Sequence, residues 1–112
     1  MYKDSESYSL IKSIILESKP TRQFLKVRTE YGVLIVTSNN MTLHFLNQIA
    51  GNFFLMCDGT QKVKTIIDEI NKEYDVKREE LENDIIDLIR DLQIKRLIYI
   101  DPLEIDYERD WT

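Results

Sequence analysis

The chain has 112 residues, enough for one domain with a single modest core. Apolar residues make up 43% of it and the net charge is −5, which fits a folded domain and excludes a disordered one. The charge is uneven: residues 1–40 carry six Lys/Arg against four Asp/Glu, and residues 41–112 carry nine against sixteen. An acidic C-terminal two-thirds argues against a phosphate backbone, so no nucleic-acid partner is expected.

Residues 1–21 read as an arm that docks on the domain or on a partner. Leu10, Ile11, Ile14 and Ile15 can line one side of a short helix or form an added strand, and Pro20 interrupts either. Residues 24–28 then mix apolar and basic side chains in partial alternation, as a strand does. Tyr31-Gly32 marks a hairpin turn, because glycine tolerates the positive φ that such a turn needs. Residues 33–37 are β-branched and nearly all apolar, the pattern of a central strand. Ser38-Asn39-Asn40 is the next turn. Met41, Thr42, Leu43, His44 and Phe45 alternate around Leu43 and Phe45, which turns those two inward and His44 to solvent. Three short strands with tight turns form an antiparallel meander whose last strand is an edge, unless the arm covers it.

At Asn47 the period changes. Leu46, Ile49, Ala50, Phe53, Phe54 and Cys57 fall at helical spacing, Asn47 is a good N-cap, and Gly59 can end the helix. A second helix is predicted over 63–74, with Val63, Ile66, Ile67, Ile70 and Tyr74 inward. A third covers 78–92 with the clearest stripe in the chain: Leu81, Ile85, Leu88, Ile89 and Leu92. Glu79 and Glu80 sit in its first turn, where the helix dipole favours anions. Residues 97–100 form a final strand bounded by Pro102. The fold class that follows is α+β: a winged helix-turn-helix with an N-terminal three-stranded antiparallel sheet and three helices. The domain spans 22–101, between the arm at 1–21 and an acidic tail at 102–112 that is expected to be loosely ordered apart from Tyr107 and Trp111.

Little here points to catalysis. The one His and the one Cys, His44 and Cys57, belong to different elements and do not form a nucleophile–base pair. Cys57 reads as a small buried hydrophobe. One His and one Cys make no metal set, and the three glycines are too scattered for a phosphate loop, so neither metal nor cofactor is expected. The longest apolar runs are too short to span a bilayer and the start of the chain is polar, so no membrane partner and a cytoplasmic location are expected.

The topology raises DNA binding, but the charge opposes it. The helix that would enter the groove carries Lys77, Arg78 and Arg90 against Glu79, Glu80, Glu82, Asp84, Asp87 and Asp91. Peptide binding fits better. An edge strand offers unpaired amides and carbonyls that a guest strand completes. If the third helix lies beside that edge, the two make a groove with backbone on one wall and side chains on the other. Ile86 falls outside the helix's core stripe, with Glu82, Arg90 and Gln93 near it.

The residues also resemble a family. Leu46-Asn47-Gln48-Ile49-Ala50 followed by Leu55-Met56-Cys57-Asp58-Gly59 is similar to the paired signature of the PqqD-like proteins. Val63-Lys64-Thr65-Ile66-Ile67 resembles the start of their second helix, and the likeness runs from about Phe24 to Ile100. It implies a RiPP recognition element, which binds the leader of a ribosomally made precursor peptide and presents it to a modifying enzyme, often a radical SAM protein. In that family the leader lies as an added strand between the third β-strand and the third helix. Carried over by position, the strand wall is Met41, Thr42, Leu43, His44 and Phe45. The helix wall is Arg78, Glu82, Ile85, Ile86, Ile89, Arg90 and Gln93. Lys26, Arg28 and Arg90 are the candidates for meeting acids in the leader. Two residues depart from the family: Lys62 where a small hydroxyl residue usually caps the second helix, and Arg96 where glycine commonly precedes the last strand. The expected function is a non-catalytic peptide chaperone; the alternative is a helix-turn-helix protein–protein module related to transcription factors.

Overall fold

The computed structural model describes residues 5–100. The acidic tail expected over 102–112, with Tyr107 and Trp111, lies outside the described residues. The architecture is α+β, with four helices and two antiparallel sheets among the described residues, one helix more than predicted.

The extra helix is α1, Ser5–Glu17. Over its described residues the arm therefore settles mainly as a helix and adds no strand to the three-stranded meander. Ile15 and Leu16 pack against the main core, while Leu10 and Ile14 stay exposed. The Ser18 amide and hydroxyl both donate to the Ile15 carbonyl and close the helix, and buried Pro20 follows. Next comes β1, Thr21–Arg22, which pairs with β5, Ile98–Tyr99, in a two-stranded sheet. Two residues are too few to show a period, so β1 left no mark in the sequence pattern.

The meander forms as β2 (Lys26–Glu30), β3 (Val33–Thr37) and β4 (Leu43–Leu46), in that spatial order. Tyr31 and Gly32 both take positive φ, 53° and 79°, as a two-residue hairpin turn with the strands' own twist requires. Leu34 lies opposite Leu46 and Val36 opposite His44, so Leu46 and His44 face inward. Leu43 and Phe45 face outward, 51% and 65% exposed. This reverses the predicted faces. Helical spacing makes Leu46 the first apolar residue of the helix, but it ends the strand, and its place in the core fixes the alternation.

Helix α2, Gln48–Met56, begins at Asn47, whose side chain accepts from the Ala50 amide at 2.9 Å. It lies on β3 because Gly51 has no side chain: a Cβ there would come within 3.1 Å of Leu34 Cβ. Helices α3, Val63–Glu73, and α4, Arg78–Ile94, complete the core with Val63, Ile66, Ile67, Ile70, Leu81, Ile85, Ile89 and Leu92. Lys62 gives α3 no side-chain cap, as its charge type dictates. At the end of α4, Arg96 adopts φ 60° and the Leu97 amide donates to the Leu92 carbonyl at 2.8 Å. That is the helix stop glycine usually makes, held here by an arginine in a left-handed conformation.

Candidate functional site

The three-stranded sheet has two outer edges, and no strand among the described residues pairs with either. They are chemically unlike. The β2 edge carries Lys26, Arg28 and Glu30, charges of the kind that discourage strand pairing. The β4 edge, Leu43-His44-Phe45-Leu46, carries neither an acid, a lysine or arginine, nor a proline.

Which groups of β4 point outward follows from its pairing. The Ser38 amide donates to the Thr42 carbonyl at 2.8 Å, a closely bonded position of the ladder. Bonded and unbonded positions alternate along an antiparallel pair, so His44 and Leu46 bond back to β3. The amides and carbonyls of Leu43 and Phe45 face the open rim. Thr42 stands just before the strand, and Met41 is in the turn with φ 70°, so neither extends the rim as predicted.

Helix α4 approaches this sheet at its C-terminal end. A cleft of about 590 Å³ lined by Gln23, Ser38, Asn39, Asn40, Lys95 and Arg96 separates the β3–β4 turn from the helix end. The two flanks of α4 differ. On one, Arg78 pairs with Asp68 of α3 and with Glu82. Helix α1 lies along the same flank: Lys12 pairs with Glu82 at 3.0 Å and the Tyr8 hydroxyl donates to Asn83 Oδ1 at 2.8 Å. Burial works against the Glu82 carboxylate, yet Lys12 and Arg78 hold it below the usual carboxylate range. One turn on, Ile86 is only 3% exposed. The other flank carries exposed Asp84, half-buried Leu88 and exposed Asp91, and ends at Lys95 beside the cleft.

The predicted site residues therefore separate. Leu43, His44 and Phe45 share the β4 edge, with His44 half-buried on the inner face and not exposed. Ile85 and Ile89 belong to the core at 1% and 0% exposure, and Ile86 is buried as well, because α1 runs along the flank that a helical wheel leaves open. Arg78 and Glu82 are tied to each other, while Arg90 and Gln93 are exposed on the helix. Lys26 and Arg28 stand on β2, two strand spacings (about 10 Å) from β4, and Arg28 pairs with Glu30 at 3.3 Å. On the outer face they line one groove with Leu43 of β4. Leu88, in the predicted core stripe, lies at the stripe's edge between two aspartates and is half-buried.

Among the described residues no three His, Cys, Asp or Glu side chains converge in a way that holds a metal, and no helix is long and apolar enough to cross a membrane. Cys57 is buried, its thiol near the Phe53 carbonyl, and burial pushes its pKa up to about 12.

The family model for coenzyme PQQ synthesis protein D (PqqD) matches residues 32–98. A solved structure described as TbiB1 in complex with the TbiA(beta) leader peptide is 23% identical, with a TM-score of 0.60 over 68% of this chain and 92% of that one. At that identity the likeness concerns the fold. No curated protein matches the chain.

Proposed function

The chain belongs to the PqqD family, and on that footing we propose that it is a non-catalytic, cytoplasmic carrier that binds the leader of a ribosomally made precursor peptide and presents it to a modifying enzyme. The order of β2–β3–β4, α2, α3 and α4 supports reading the scaffold as a winged helix-turn-helix, with residues 22–101 as the domain and 1–21 as an appended arm. One observation carries the binding mode. Of the sheet's two edges left unpaired among the described residues, β4 is the one without charge or proline, and it aims the amides and carbonyls of Leu43 and Phe45 outward. A guest strand laid there completes four backbone hydrogen bonds, each contributing about 0.5–1.5 kcal/mol net. The fold likeness to a protein solved with a leader peptide supports the same occupant.

The test is a fluorescence-anisotropy titration with synthetic leaders of short precursor peptides, the first choice being any whose gene is found to neighbour this one. Saturable one-to-one binding is expected, and strand addition should change little between about 50 and about 200 mM salt. Absence of binding, or tight binding to duplex DNA that collapses with salt over that range, refutes the proposal.

A further inference from the structure

A strand guest at the β4 rim points alternate side chains to the inner face of the sheet, towards α4. What those side chains meet depends on which flank of α4 is available. The flank with Glu82, Asn83 and Ile86 is occupied: α3 reaches it through Asp68, and α1 lies along it through Tyr8 and Lys12. This helix, α1, falls outside the residues that the family model matches. The opposite flank is where α4 comes next to the β3–β4 turn, at Lys95. Its one apolar residue is Leu88, which packs on the core yet remains partly exposed. On the strand side, the inward residue nearest the rim's centre is half-buried His44.

We propose that the inward-facing apolar side chain of the guest strand seats on Leu88, the flank of α4 that neither α3 nor α1 covers, and that α1 closes the Ile86 flank to it. The occupant is an extended peptide segment with an apolar residue at the position that falls beside His44. The inference rests on the leader-binding reading and makes Leu88 a specificity-determining residue of that site, in place of Ile86.

The experiment uses the full chain and the same synthetic leaders. In a methyl-labelled NMR titration of the wild-type protein, the Leu88 methyl signals should shift and show contacts to the leader, while the Ile86 methyl stays unmoved. Leu88→Glu should weaken binding about tenfold or more, as losing a central anchor does, and Leu88→Met should stay within about twofold of wild type. Lys12→Glu, which sets a second carboxylate against Glu82, should loosen α1 without weakening the leader. The NMR arm stands even if Leu88→Glu fails to fold. Shifts at Ile86 instead of Leu88, or tighter leader binding by Lys12→Glu, overturn the inference and make α1 a competitor for the site. Binding that Leu43→Pro weakens but Leu88→Glu does not also overturns it, leaving the rim reading intact. No binding by the wild type overturns both.

Discussion

A proline scan of β4 separates the two sides of the strand. The Leu43 amide faces the rim, so Leu43→Pro removes a donor that the folded chain does not use. Proline is tolerated at an edge strand when its nitrogen faces outward. The melting temperature should therefore fall little, while the leader loses one backbone hydrogen bond, about 1 kcal/mol or roughly fivefold in affinity. The ring also intrudes where the guest's carbonyl would approach, so a loss of about tenfold is expected. His44→Pro is the counterpart. Its amide bonds back to β3 opposite Val36, which is 0% exposed. Removing it leaves a buried carbonyl unpaired, at about 1–3 kcal/mol. For a domain of this size each kcal/mol lowers the melting temperature by about 4–8 °C. Circular-dichroism melts and leader titrations of both variants decide the matter. If Leu43→Pro destabilises as much as His44→Pro, the alternation of the ladder is wrong. If Leu43→Pro binds leader like wild type, the rim is not the docking edge.

Other outcomes follow from single contacts. Glu17 is held down to about 2 by its hydrogen bonds to Lys62 and Lys64, and Glu82 is also depressed. A depressed carboxylate contributes stability that is present above its unfolded pKa and lost as pH falls through the folded one. Amide exchange in α1 should hence accelerate, relative to α2, between about pH 4.5 and pH 2; an unchanged ratio would refute a stabilising role for the Glu17 pairs with Lys62 and Lys64. Cys57 should resist a thiol reagent at pH 8 in the native protein and react only on unfolding, since its thiol is pushed up to about 12; fast native labelling would contradict its burial. Gly59→Ala should lower the melting temperature by several degrees, because φ there is +86° and the new Cβ would lie 2.7 Å from Thr21 Oγ1. Adding Thr21→Ala should recover only part of the loss, as the backbone strain remains.

The elements with long, regular patterns were legible without coordinates. The apolar spacing of α3 and α4 marked both helices, the run Val33–Thr37 marked the central strand, and Asn47 announced the start of α2. The edge position of β4 was legible too, because three strands joined by tight turns leave the last one outside. The faces of β4 were not. One residue, Leu46, sits where strand and helix periods overlap, and assigning it to the helix inverted every side chain before it. The burial of Ile86 on the helix wall was hidden for a different reason. A helical wheel shows which residues leave the core stripe but not what lies beyond it, and here α1 arrives from about seventy residues away in sequence. Its hold on Asn83 and Glu82 depends on Tyr8 and Lys12, polar residues that no hydrophobic periodicity reveals.

The bridging position of α1 has a mechanical consequence. Glu17 grips Lys62 and Lys64 at the head of α3, Lys12 grips Glu82 on α4, and Asp68 and Arg78 join the two helices directly. Three struts form a truss, in which each surface ion pair adds only a little to holding α4 against its neighbours. The guest proposed for the β4 rim would then lie beside a helix tied to two neighbours, not beside a free one.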